Sequence, residues 1–140
     1  KLNGCFLQIW LLFYSMKKPI EKAVLIYDGD CNLCRAGKTW IEKRALPGQI
    51  EFLSCQSQLR ASRYPHIGTE QCLQAIQLVL SDSRILQGAD AIPDILYRIK
   101  GWRWLEKILR KKIFHWFAPK VYAWIAKNRQ IFSCVLPKQT

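Results

Sequence analysis

An abrupt change of hydrophobic pattern at residues 28–30 constrains the fold of this chain more than any other feature. Residues 23–27 form a continuous apolar run rich in β-forming side chains, which is typical of a buried strand. The run ends at Asp28-Gly29-Asp30, and an amphipathic helical pattern follows over residues 35–46. The pattern predicts a strand that turns sharply into a helix, and we expect Gly29 to supply backbone angles that other residues resist.

Two cysteines, Cys31 and Cys34, lie at the predicted start of this helix. Backbone N–H groups without partners at a helix start, together with the helix dipole, favour an anion there and so favour a thiolate. The thiolate is the form of cysteine that attacks disulfides. We therefore predict that Cys31 is the exposed nucleophile and that Cys34, one turn further into the helix, resolves the mixed disulfide.

Two carboxylates flank this corner. Asp28 lies three residues before Cys31, where it could exchange a proton with a thiol or simply accept hydrogen bonds from backbone N–H groups of the turn. Both roles stay open for Asp28. Asp30 immediately precedes Cys31, and we predict that it caps the helix rather than taking part in catalysis.

The rest of the pattern predicts an α/β fold with a four-stranded mixed sheet and flanking helices. Residues 50–54 alternate in the manner of a second strand, and a crossover helix would make it parallel to the first. Residues 75–80 and 84–87 flank a Ser-Asp-Ser turn, which predicts an antiparallel hairpin. This order is that of a thioredoxin-like sheet, and it puts the cysteine pair at the carboxyl end of the first strand, where open α/β sheets bind ligands.

The C-terminal part of the chain is basic and predicted to be helical. The formal net charge is +12, and residues 98–140 hold eleven Lys or Arg against one acid. We predict a helix that Asp90 caps and that runs to about residue 100, a helix over residues 102–117, and a last helix that Pro119 opens. Residues 98–132 thus form a basic helical extension.

Apolar residues recur every three or four positions in this extension and indicate an amphipathic helix. They are Trp102, Leu105, Ile108, Leu109, Ile113 and Trp116. The simplest interpretation is a helix that buries this face in the domain. A peripheral contact with a membrane comes next, because tryptophan and lysine suit lipid headgroups. Nucleic acid is disfavoured as a partner, since no recognised binding motif accompanies the charge.

The other cysteines are scattered, which argues against a disulfide scaffold. A single tightly spaced pair beside a βα pattern indicates a reducing, cytoplasmic compartment. We expect Cys55, Cys72 and Cys134 to be core or incidental thiols, with Cys55 as the candidate for a third redox cysteine because it follows the second strand. Residues 1–15 precede Met16 and are interpreted as a leader or an upstream extension, and residues 133–140 as a tail.

A zinc site is the main competing interpretation of the cysteine pair. Tetrahedral zinc needs four ligands, and the sequence has no second CxxC and no closely spaced histidine pair. Cys55, Cys72, His66 and His115 would have to converge from distant positions. We therefore assign no metal and no bound cofactor. The alternative from another class is a non-catalytic basic binding module, with a structural or zinc-binding cysteine pair, on a membrane surface or a protein partner.

Three short motifs occur in order along the chain. The first is Asp28-Gly29-x-Cys31-x-Leu33-Cys34, the second is Gly88-Ala89-Asp90-Ala91, and the third runs from Val121-Tyr122 to Ala126-Lys127-Asn128-Arg129. On these motifs the domain over residues 20–132 resembles the DCC family of thiol-disulfide oxidoreductases. The resemblance implies a thioredoxin-like fold and protein-disulfide reductase activity.

The resemblance also implies how such a protein would work. The substrate would be a disulfide in a protein or a small molecule, and an external thiol system would recycle the cysteine pair. Asp90 and Arg129 are supporting positions of the matched motifs, and Arg129 could pair with Asp90 or with Asp28. One departure concerns the cis-proline that thioredoxins place beside their cysteines, because residues 71–75 contain no proline. This departure predicts that a groove for a substrate peptide is absent or built differently.

Overall fold

A computed structural model describes residues 21–128. Its sheet consists of β1 (Ala23–Tyr27), β2 (Ile50–Ser54), β3 (Gln77–Val79) and β4 (Ile85–Gln87), in the order β2-β1-β3-β4. β1 is parallel to β2, whereas β3 is antiparallel to both β1 and β4. The predicted four-stranded mixed sheet of thioredoxin-like type is therefore confirmed. The predicted leader, residues 1–15, and the predicted tail, residues 133–140, lie outside the described residues.

Six α-helices flank this sheet in the described part of the chain. They are α1 (Asn32–Glu42), α2 (Gln58–Arg63), α3 (Thr69–Gln74), α4 (Ala91–Tyr97), α5 (Arg103–Leu109) and α6 (Lys112–Lys127). α1 begins three residues earlier than predicted, and α3 lies in a segment for which the sequence analysis gives no helix. α3 has only six residues, most of them polar, which are too few to show a helical period.

The basic extension is divided differently from the prediction. The helix predicted over residues 102–117 is two helices, because Lys111 has an extended backbone (φ −68°, ψ 142°) and separates α5 from α6. Pro119 lies inside α6 and does not open a helix. The prediction that Asp90 caps a helix to about residue 100 was also wrong. Asp90 has helical backbone angles (φ −69°, ψ −23°) at the end of a 3-10 turn, and its side chain makes no capping hydrogen bond.

Two apolar layers cover the two faces of the sheet. Ala23 and Leu25 of β1 face a cluster that includes Ile95 and Ile99, and Trp40 of α1 packs against it. Val24 and Ile26 face the opposite way, toward a cluster that includes Cys55, Ile67 and Cys72. This alternation along β1 follows from the two-residue period of a strand. The carboxyl end of β1 is therefore wrapped by elements from both faces.

Much of the apolar face of the basic extension lies at the surface. Leu109 is buried and Leu105 is half-buried, as expected for a helix that packs on the domain. Trp102, Ile108 and Trp116 are exposed, so the prediction of a fully buried face was wrong for these three. The side chain of Ile113 lies outside the described residues. No helix within residues 21–128 is long and apolar enough to cross a membrane.

Candidate active site

Cys31 is the N-cap residue of α1, at the corner between β1 and the helix. Its backbone is extended (φ −88°, ψ 116°), and its Sγ accepts a hydrogen bond from the N–H of Cys34 at 3.3 Å. A serine or aspartate oxygen occupies this position at most capped helices. Here the sulfur of Cys31 accepts a hydrogen bond from an N–H group that has no partner within the helix.

The two cysteines differ in exposure, in the direction opposite to the prediction. Cys31 carries a free thiol and is buried, with an exposed fraction of 9 %. Cys34 is half-buried and borders a cavity. The prediction that Cys31 is the more exposed of the two was wrong, because a capping side chain folds back over the first turn of its helix.

Gln56 holds the Asp28-Gly29-Asp30 turn from the neighbouring strand. Its Nε2 donates to Asp28 Oδ1 at 2.9 Å and to Asp30 Oδ2 at 3.1 Å, and its Oε1 accepts from the N–H of Gly29 at 3.1 Å. Asp28 Oδ1 also accepts from the N–H of Asp30 at 3.0 Å. The structural role foreseen for Asp28 is thus observed. Asp30 is bound by Gln56, and the predicted capping role belongs to Cys31 instead.

Gly29 is required for space, and the predicted reason for it was wrong. Its backbone lies outside the positive-φ region that favours glycine. A Cβ built on Gly29 would lie 2.5 Å from Ser54 Oγ and 3.0 Å from Gln56 Oε1. The turn therefore passes so close to the end of β2 that any side chain at this position would collide with the groups that hold it.

A cavity of ≈ 250 Å³ adjoins the corner on the side of Cys34. Its floor is the end of β1 with Asp28, one wall is α1, and the opposite wall is the segment 72–76. α6 closes it with Tyr122, Ile125 and Ala126. Residues 72–75, part of the stretch 71–75 in which the sequence has no proline, belong to this wall. The cavity brings the first and the third sequence motif to one site.

The second motif supports this cavity through Gly88. Gly88 has a φ of +57°, and a Cβ built on it would lie 3.0 Å from Cε1 of Tyr122. The motif glycine therefore makes room for the motif tyrosine. Asp90 borders a different cavity of ≈ 390 Å³, together with Arg110 and Pro119. The structure does not bring Asp90 to the cavity of Cys34, and Arg129 lies outside the described residues.

The disulfide between Cys55 and Cys72 was missed by the sequence analysis. We expected core or incidental thiols at these positions; both cysteines lie in the core, but the expectation of free thiols was wrong. Cys55 directly follows β2, and its N–H donates to the carbonyl of Tyr27 at 2.8 Å. Cys72 lies on α3, a helix that the sequence did not reveal. A separation of 17 residues across an unforeseen helix gave no signal for the pairing.

Metal ligands do not gather in the described part of the chain. Residues 21–128 contain no group of three or more His, Cys, Asp or Glu side chains arranged to hold a metal ion. His66 lies in a loop, where its ring packs edge-on against Tyr64. The side chain of His115 and Cys134 lie outside the described residues.

A thioredoxin-like sheet whose first strand leads into a CxxC at a helix start is typical of thiol-disulfide oxidoreductases. The chain belongs to the DCC1-like thiol-disulfide oxidoreductase family, which matches residues 25–135. It is also similar to the uncharacterized protein YuxK of Bacillus subtilis (strain 168), with 27% identity over 127 residues, which cover 86% of this chain and 90% of that protein. No solved structure matches the chain.

Proposed function

We propose that this protein is a protein-disulfide reductase in which Cys31 is the nucleophile and Cys34 the resolving cysteine. The Cys31 thiolate attacks one sulfur of a substrate disulfide, and the other sulfur leaves as a thiolate that takes up a proton. Cys34 then attacks Cys31 Sγ, forms the Cys31–Cys34 disulfide and releases the reduced substrate. An external dithiol reduces that disulfide and restores the pair.

The hydrogen bond from the N–H of Cys34 to Cys31 Sγ is the observation that supports this order of events most directly. Cys31 Sγ already accepts an N–H group at the helix start, so Cys31 is suited to attack first, and its thiol is restored when the external dithiol reduces the pair. Cys34 belongs to the first turn of the same helix, which puts it one turn from the sulfur that it has to attack.

Asp28 is the group that we propose to accept the proton of Cys34 during resolution. Its carboxylate borders the same cavity as Cys34, and one oxygen is held by Gln56 and by the N–H of Asp30. A carboxylate fixed in this way can take a thiol proton without moving far.

Variants that lack one cysteine of the pair test the assignment, because they can trap a mixed disulfide with a substrate. In C34S, Cys31 should stay attached to a small aromatic disulfide as a stable mixed disulfide, because no neighbour resolves it. In C31S, the mixed disulfide should form at least about tenfold more slowly, since Cys34 lacks the cap position. Equal trapping in both variants, or faster trapping in C31S, would contradict the roles. No trapping in either would favour the alternative of a non-catalytic binding module.

We also propose that the basic extension binds an anionic lipid surface. Four large apolar side chains on the outward side of α6 are exposed: Trp116, Phe117, Val121 and Trp124. Lysines accompany them, and Lys120 Nζ lies 4.3 Å from the ring centroid of Trp116. An aromatic surface interleaved with lysines is complementary to anionic headgroups above acyl chains. The cytoplasmic location of the protein, from which it would reach such a membrane, stays a prediction.

Vesicle flotation tests the lipid proposal. Vesicles with about one third anionic lipid should carry the protein upward, and neutral vesicles should carry far less. The double variant W116A/W124A should lose most of the binding, while L59A, which removes an exposed leucine on α2, should retain it. Equal binding of both variants would contradict the proposal. Binding of a protein partner without lipid, lost in W116A/W124A, would assign the surface to that partner instead.

A further inference from the structure

A second pair of cysteines reaches the cavity that Cys34 borders. Cys72 lies in its wall, and Cys72 is joined to Cys55 in the disulfide described above. The exposed fractions of Cys55 and Cys72 are 0% and 1%, so a thiol in solution has almost no access to their bond. Among the cysteines of the described residues, only Cys34 and Cys72 border this cavity. Cys34 and Cys72 therefore border one cavity from different walls, and a shift of α3 is needed to bring the Cys72 sulfur, which packs on the Val24 and Ile26 side of the sheet, to Cys34.

We propose that the Cys55–Cys72 disulfide is a second redox pair that exchanges electrons with the Cys31/Cys34 pair across this cavity. The proposal rests on the function proposed above, because it needs Cys31 and Cys34 to cycle between dithiol and disulfide. It goes further in making the protein a carrier of four electrons instead of two.

The exchange consists of two ordinary thiol–disulfide steps. The thiolate of Cys34 attacks Cys72 Sγ, which forms the Cys34–Cys72 bond and breaks the Cys55–Cys72 bond, so that Cys55 leaves as a thiolate. The thiolate of Cys31 then attacks Cys34 Sγ, and Cys72 leaves. The two protons of Cys31 and Cys34 end on Cys55 and Cys72. Two electrons pass from the first pair to the second, and no external reagent is consumed.

The surroundings of the cavity suit this exchange. Leu33, Leu73 and Ile125 supply apolar walls around the place where an intermediate would form. Asp28 borders the same cavity as Cys34, and we assign it the role of taking the Cys34 proton. α3 has six residues, so a local shift of Cys72 toward Cys34 leaves the strands of the sheet in place.

A trapped intermediate is the most direct test. All variants carry C5S and C134S, so that only the four described cysteines remain. In C31S, Cys34 should attack Cys72, and among the remaining cysteines only the freed Cys55 can reverse this step, so a fraction of the protein should hold the Cys34–Cys72 bond at equilibrium. Acid quenching, alkylation and peptide mapping should then show Cys34 linked to Cys72 and Cys55 alkylated. C34S is the matched control, in which Cys55–Cys72 should remain and Cys31 should be alkylated. An intact Cys55–Cys72 bond in both variants would overturn the proposal.

Electron counting separates this proposal from the function on which it rests. The fully reduced four-cysteine protein should reduce about two equivalents of an excess aromatic disulfide, and the C55A/C72A variant about one. One equivalent from both proteins, with no trapped Cys34–Cys72 bond, would overturn the exchange and leave the reductase function standing. No reduction by either protein would overturn the reductase function. The C31S trap does not depend on whether C55A/C72A folds.

Discussion

The hydroxyl of Tyr122 accepts a hydrogen bond from the backbone N–H of Ile76 at 3.2 Å, across 46 residues of sequence. Tyr122 is on α6, and Ile76 belongs to the segment that leads from the disulfide into β3. Both residues border the cavity beside Cys34. α6 is therefore hydrogen-bonded to the segment that forms the cavity wall opposite α1. This contact explains why a motif near residue 122 accompanies a CxxC near residue 31.

Replacing Tyr122 by Phe should lower the free energy of unfolding by about 1 kcal/mol, because a partly buried N–H of Ile76 loses its acceptor. It should also speed the alkylation of Cys34, since the cavity wall is held less firmly. Y97F is the control, because Tyr97 accepts a bond from Arg103 at the surface and its loss should cost less than about 0.5 kcal/mol. Denaturant unfolding and a timed alkylation measure the two effects. Equal costs for both variants would contradict the role of Tyr122.

Replacing Gly88 by Ala should be more costly than the same change at Gly48. Both glycines have positive φ, +57° and +72°, so each alanine is strained by about 1–2 kcal/mol. Only at Gly88 does the new Cβ also meet the ring of Tyr122, at 3.0 Å, whereas the surroundings of Gly48 are open. We expect G88A to exceed G48A by roughly 1 kcal/mol or more.

A double-mutant cycle isolates this contact. With Leu in place of Tyr122, the excess cost of G88A over G48A should shrink, because the ring that crowds the Cβ is gone. Urea unfolding of G88A, G48A, G88A/Y122L and G48A/Y122L gives the coupling energy. An excess that is unchanged by the replacement of Tyr122 would show that the ring is not its cause.

The sequence predicts the sheet well because its signals are local. The apolar run of β1, the Asp-Gly-Asp corner and the Ser-Asp-Ser turn each lie within a few neighbouring residues. Strand order then follows from the handedness of the crossover and from the short hairpin. The corner before α1 is predicted for the same reason, although its cap is Cys31 and not Asp30, one residue later than predicted.

The sequence could not predict what depends on contacts between distant segments. Gln56 meets Asp28 across 28 residues, and Cys72 meets Cys55 through a helix without a clear period. The exposure of Trp116 likewise depends on which side of α6 packs on the rest of the domain, and the apolar residues of α6 do not lie on one side only. One hint existed, because Gln56 follows the parallel neighbour of β1, whose carboxyl end had to lie beside the Asp28 turn.

Replacing Gly29 by Ala should destabilise the protein by about 1–3 kcal/mol, because the Cβ would overlap Ser54 Oγ. Replacing Ser54 by Ala as well should recover part of the loss, since it removes the closest atom. G37A is the control, because nothing lies within 4 Å of a Cβ there and alanine favours the interior of α1. Thermal unfolding measures all three. A loss in G29A that S54A does not reduce would contradict the steric reason given for this glycine.

Glu51 should make stability depend on acid pH. Arg63 and Lys22 hydrogen-bond its carboxylate, at 2.5 Å and 3.1 Å, and they hold the pKa of Glu51 below its ordinary value of 4.5. The unfolded chain therefore binds this proton more readily than the folded protein does. The contribution is present in full above pH 4.5 and is lost as the pH falls through the lower pKa of the folded state.

The variant E51Q keeps the shape of the side chain and removes this titration. At neutral pH it should be less stable than the natural protein by a few tenths of a kcal/mol, up to about 1, because exposed ion pairs contribute little. The difference should shrink as the pH falls below 4.5, and salt at about 0.5 M should reduce it at neutral pH. Urea unfolding across this pH range measures it. A difference that stays constant from pH 7 to pH 3 would show that the ionised carboxylate of Glu51 is not the source.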